Sequence, residues 1–164
     1  MMRLKDKGFT LIELLVVIAV IGMLASIVLV SLSPARAKAR DAKTQAAFQA
    51  VSTALDVFYE KEGRMPNNYN PGSGACEGDG FYEQSMQELV SAGVLSVIPK
   101  SPSDSRYCYY NYGPGDSAGA LMVTHLEAAP QSDTGLAPSC RPWPAGTNWC
   151  DKSTNRYYCL CHPY

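Results

Sequence analysis

Residues 9–32, FTLIELLVVIAVIGMLASIVLVSL, are almost wholly apolar, and from Leu14 to Ser33 no side chain is charged. A helix over this stretch is roughly 36 Å long at about 1.5 Å per residue, enough to cross a hydrocarbon core of about 30 Å with some tilt. It is apolar around its whole circumference, which suits lipid better than a one-sided core. Gly22, Ala25 and Ser26 are small residues at helical spacing and let a neighbouring helix approach closely, although such residues are common in membrane helices generally.

The remainder is ordinary. The chain has 164 residues, 46% hydrophobic and 18% charged, with a formal net charge of -1. A mean hydropathy of -0.11 describes a soluble domain with one apolar segment, not a polytopic membrane protein. The near-neutral balance gives no reason to expect nucleic acid as a partner, and the apolar content excludes wholesale disorder.

A cleaved secretory signal is the first alternative, with Ala35-Arg36-Ala37 as a small-x-small site. Two features oppose it. The apolar run exceeds the roughly 7–15 residues of such signals. It also carries Glu13 near its start, at an insertion cost of about 2.5–3.5 kcal/mol that a disposable segment has no use for.

The run Gly8-Phe9-Thr10-Leu11-Ile12-Glu13-Leu14-Leu15-Val16-Val17-Ile18-Ala19, preceded by a short charged stretch, resembles the N-terminal signature of type IV pilins and pseudopilins. The resemblance implies a prepilin leader over residues 1–8. A dedicated peptidase would cut it between Gly8 and Phe9 and methylate the new N-terminus. It also implies that Glu13, at the fifth mature position, is the assembly residue. Cleavage leaves an α-amine on Phe9 at the start of an apolar helix, and Glu13 lies one turn away on the same face. Glu13 can pair with its own Phe9 amine or with that of a neighbouring subunit. The resemblance implies the second pairing, in which assembly neutralises two charges together.

All six cysteines, Cys76, Cys108, Cys140, Cys150, Cys159 and Cys161, fall in the C-terminal part of the chain. An even number confined to a loop-rich region suggests three disulfides formed in an oxidising space, with Cys76–Cys108 the first expected pair. A zinc site built on Cys150, Cys159, Cys161 and His162 is the alternative, but the C-x-C spacing lacks the usual knuckle. Basic residues flank the apolar run on both sides: Arg3, Lys5 and Lys7 before it, and Arg36, Lys38, Arg40 and Lys43 after it. The cysteines therefore set the orientation, with the head outward and the leader cytoplasmic. The second basic cluster is expected at headgroups, in a filament interior, or on a solvated helix face.

Beyond Pro34, expected to kink the helix, an apolar stripe of Phe48, Val51, Leu55 and Phe58, with Ala47, Ala54 and Tyr59, continues it until Gly63. Residues 64–82 read as an irregular loop rich in Asn, Gly and Pro. A short helix follows, with Met86, Leu89 and Val90 on one face and Gly93 as its stop. Strands are expected over 106–112 and 120–127 about a Gly113–Asp116 loop, and over 156–161, the last with Trp149-Cys150 as its partner. The Gly93–Pro102 order resembles the major pseudopilins of type II secretion, with Ser101 where that pattern has an acid. The resemblance implies a calcium ion in a head loop. Asp104 and Asp116 are the nearest acids, though their residue type equally suits turns.

The fold expected is α+β: a long helix, transmembrane over 9–33 and amphipathic over 34–63, packed on a small antiparallel sheet within a head of 64–164. The many head aromatics suit a sheet packed on a helix, or else an adhesive surface. His125 and His162 read as structural, since no G-x-S-x-G, Walker or G-x-G-x-x-G pattern accompanies them. The expected function is that of a non-enzymatic type IV pilus-like filament subunit with no cofactor and no resident metal beyond that calcium. Its partners would be the prepilin peptidase and methyltransferase, other pilins, an inner-membrane assembly platform and the bilayer. It would sit in the inner membrane and then in a surface or periplasmic filament. A type II secretion pseudopilin and a membrane-anchored extracytoplasmic binding module are the alternatives.

Overall fold

A computed structural model of the chain describes residues 8–70, 74–116, 118–128, 144, 150 and 157–163. The chain divides between Arg36 and Ala37 into two compact units. Helix α1, Leu11–Glu62, begins in the first and ends in the second, and it is uninterrupted at Pro34.

In the first unit every large apolar side chain from Leu11 to Ile27 is exposed, none by less than the 49% of Val17. Hydropathy of this strength with no burial at all fits a helix meant for lipid or for other helices. Ser26 donates its hydroxyl to the Met23 carbonyl at 2.8 Å, so it needs no partner helix to satisfy it.

In the second unit α1 presents the expected stripe. Phe48, Val51, Leu55 and Phe58 are all buried. Tyr59 departs from expectation and lies at the margin, 37% exposed. The stripe also extends backwards through polar residues: Asp41 and Thr44 are buried in the same phase. Thr44 accepts the Tyr107 hydroxyl at 3.1 Å, so a hydrogen bond joins this part of the helix to the head.

The sheet is an antiparallel meander in the order β1 (Ala75–Cys76), β2 (Cys108–Asn111), β3 (Ala120–Thr124), β4 (Tyr158–His162). β3 is buried along its whole length, as the apolar run Ala120–Val123 suits for an inner strand, with Thr124 at its end buried as well. β4 pairs with β3, Val123 facing Cys159; Trp149 of the expected 149–150 partner lies outside the described residues. β1 departs from expectation. It lies within the expected loop and pairs Cys76 directly with Cys108. The β2–β3 turn closes through Tyr112 N–H to the Gly119 carbonyl. Gly119 has φ +57°, and a Cβ there would run into the His162 backbone.

Helix α2, Phe81–Ser91, buries Tyr82, Ser85, Met86 and Leu89, while Val90 is only half-buried. The Asp79 carboxylate organises its start, accepting the Phe81 and Tyr82 N–H groups and, on its other oxygen, the Cys76 N–H. One side chain thus joins β1 to α2. At the far end Gly93 N–H bonds the Val90 carbonyl and Val94 N–H the Leu89 carbonyl, with Gly93 at φ +72°. This paired arrangement needs a left-handed residue after the helix, which glycine adopts without steric cost.

Aromatic residues fill the space between helix and sheet. Tyr107 meets Phe48 edge-on at 5.1 Å, and Tyr158 lies 5.5 Å from the same ring. Tyr82, Tyr107, Tyr109 and Tyr158 are therefore core and Tyr110 and Tyr157 half-buried; Tyr69 and Tyr112 are the more exposed, and Trp143, Trp149 and Tyr164 lie outside the described residues. Burial raises the phenol pKa values of Tyr82, Tyr107 and Tyr158, and pushes Tyr110 up to about 12. A pKa raised in the folded state stabilises the fold below the unfolded value of about 10 and loses that contribution as pH rises through the folded value. In a spectrophotometric titration of the ten tyrosines, the exposed ones should ionise first. These four should ionise only at higher pH, together with loss of the far-ultraviolet circular dichroism signal. A single transition at about pH 10 with secondary structure intact would contradict this packing.

Candidate assembly site at the helix N-terminus

Thr10 precedes the first helical residue and Glu13 follows three positions later, the spacing of a capping box. The bonds are reciprocal. Thr10 donates both its N–H, at 2.8 Å, and its hydroxyl, at 2.7 Å, to Glu13 Oε2, while Glu13 N–H donates to Thr10 Oγ1 at 3.3 Å. Two orphan donors of the helix start are thereby satisfied, and the carboxylate lies at the positive end of the helix dipole. With residues 1–8 attached the Phe9 nitrogen is a peptide amide, so neither pairing expected of Glu13 with an amine is available to it. Phe9 is 87% exposed and Gly8 is exposed, leaving the junction between them accessible. Thr10 is a member of this site that the sequence reading leaves out, although its T-x-x-E spacing to Glu13 is the signal that finds it.

The cysteines lie in the second unit. Cys76–Cys108 is a disulfide, as expected, and staples β1 to β2. Cys150–Cys159 is a second, fastening the chain before β4 to β4 itself. Cys161 is also disulfide-bonded; Cys140 lies outside the described residues. With Cys150, Cys159 and Cys161 oxidised, the thiolate ligands of the alternative zinc site are gone.

His162 Nε2 is 2.5 Å from Asp56 Oδ1 and joins β4 to α1, while the His125 ring packs 4.3 Å from that of Tyr157. Asp116 accepts the Ala118 N–H in its turn, and Asp104 lines a cleft with Arg40 and Glu127. Among the described residues no three His, Cys, Asp or Glu side chains are grouped to hold a metal ion. The Ser101 hydroxyl accepts the Ser103 N–H at 3.3 Å, so the serine occupies the turn-acceptor role open to an aspartate there.

Part of the second basic cluster is not a free surface. Arg40 forks onto Glu127 at 2.8 and 2.6 Å. Beside it, the buried Asp41 carboxylate accepts the Glu127 and Ala128 N–H groups at 2.7 and 2.8 Å. The Arg40 guanidinium holds the Glu127 carboxyl below the usual carboxylate range.

A family profile described as a prokaryotic N-terminal methylation motif matches residues 3–29. The type II secretion system core protein G of Escherichia coli is 28% identical over 85% of this chain and 92% of its own length. That of Klebsiella pneumoniae is 30% identical over 63% of this chain and 73% of its own. The chain belongs to the type IV pilin and pseudopilin family. A type IV major pilin protein of Neisseria gonorrhoeae is 34% identical over 61% of this pilin-like chain, which spans about half of that relative's length. No solved structure matches the chain. The profile falls on the helix start that carries Gly8, Phe9 and the Thr10–Glu13 capping box, whereas the protein G likeness runs on into the head.

Proposed function

We propose that the chain is a structural, non-catalytic subunit of a type IV pilus-like filament, held in the inner membrane by α1 before assembly. The observation that carries this reading is the exposed apolar half of α1 headed by Glu13, a surface stable only in lipid or among like helices. A prepilin peptidase and methyltransferase removes residues 1–8 and methylates Phe9. The capping box then holds Glu13 until the Phe9 amine of an adjacent subunit on an assembly platform takes its place beside the carboxylate. The disulfides belong to an extracytoplasmic head. A second reading, a pseudopilin of a type II secretion machine, is favoured by the protein G likeness, which extends over most of both chains.

Processing is tested by intact mass spectrometry of the chain extracted from membranes of its host. The expected mass is that of residues 9–164 with one added methyl group. A product beginning near Lys38 would instead mark an ordinary secretory signal.

A further inference from the structure

The sheet face turned away from α1 carries Cys108, Tyr110, Leu121, Val123 and Cys159, packed with Cys150 and Tyr157. Beside it a cavity of about 400 Å³ opens, lined by Arg106, Tyr110, Thr124, His125 and Tyr157 together with Cys108 and Val123. That volume suits a small ligand.

Its chemistry differs from that of the surrounding head. From residue 64 onward the chain carries nine acidic and six basic residues, yet no carboxylate is among the described lining residues. Arg106 is exposed and forms no ion pair among the described residues, unlike Arg40 and Arg64, which are paired to Glu127 and Glu88. A guanidinium with no protein anion presents a planar fork suited to a carboxylate. Beside it on the lining, the half-buried His125 and Tyr157 rings pack 4.3 Å apart at 45° and make an aromatic wall. Such a wall takes the apolar face of a sugar ring.

We propose that this cavity binds a sugar acid, with the carboxylate on Arg106 and one ring face against Tyr157 and His125. One guanidinium matches one negative charge, and the wall accommodates one ring. A bare inorganic anion would leave the wall unused, and a neutral sugar would leave Arg106 unused.

The test titrates D-glucuronate into the full chain in detergent micelles and follows saturation-transfer NMR. Saturable binding, tighter than for glucose, is expected. Arg106→Gln should weaken glucuronate about tenfold, the loss of one charge-assisted pair, and leave glucose unchanged. Tyr157→Leu should weaken both. Should that variant unfold, Arg106→Gln on its exposed side chain carries the test alone. The proposal is overturned by absence of saturable glucuronate binding, by inorganic phosphate binding as tightly as glucuronate, or by an unchanged glucuronate affinity in Arg106→Gln.

Discussion

Glu13→Gln should leave the chain inserted, processed and folded, yet reduce filaments, or secretion through a pseudopilus, by an order of magnitude or more. The capping box explains why this substitution separates two roles. Glutamine serves at the third helical position of such a box as glutamate does. The amide oxygen of the variant therefore still accepts from Thr10, and the helix start is preserved. Insertion becomes easier if anything, because the amide is cheaper to bury than the ion. What disappears is the charge. Once the leader is removed, the Phe9 amine of a neighbour entering the helix bundle meets no anion and remains an uncompensated charge in apolar surroundings. Quantitative immunoblotting of membrane and sheared-filament fractions, with mass spectrometry for processing, separates these steps. Normal filament yield from a processed Glu13→Gln subunit would remove charge pairing from the assembly mechanism.

Asp41→Ala should destabilise the head by about 3 kcal/mol, since two hydrogen bonds to a buried charged acceptor are lost together. Its carboxylate holds the N–H groups of Glu127 and Ala128, which lie just beyond β3. Arg40 grips the Glu127 side chain from the neighbouring position, so α1 and the segment after β3 are joined at two points one residue apart. The melting temperature should fall by on the order of 10 °C for a domain of this size. Lys43→Ala, on the exposed face of the same turn, should stay within about 0.5 kcal/mol of the parent. Equal melting temperatures for the Asp41 and Lys43 variants would show that the clamp contributes nothing to the fold.

Both helices are readable in the sequence because they repeat. Phe48, Val51, Leu55 and Phe58 carry the 3.6-residue period across successive turns, and Met86 and Leu89 carry it with Gly93 as a stop. Asp41 and Thr44 obey the same period with polar side chains. A search for apolar stripes passes over them and assigns Arg40 to a solvated or headgroup-facing cluster. The phase itself is the available signal. β1 leaves no trace in composition because two residues have no periodicity. It exists through contacts outside its own two residues, the Cys76–Cys108 bond and the Asp79 carboxylate. The pairing of β4 with β3 is likewise non-local: more than thirty residues separate Thr124 from Tyr158, and no local pattern links the two strands. At the helix start the motif draws attention to Phe9 and Glu13, while Thr10, whose hydroxyl and amide hold the carboxylate, reads only as part of the pattern.

The central claim is that α1, freed at Phe9, polymerises. Filaments sheared from host cells expressing the chain, imaged by electron microscopy and dissolved for intact mass measurement, test it most directly. The account predicts filaments built of this chain, with subunits of residues 9–164 carrying one methyl group and absent when Gly8 is replaced so that cleavage fails. Recovery of the chain only as a membrane-bound monomer, or filaments that persist with the leader still attached, would contradict it.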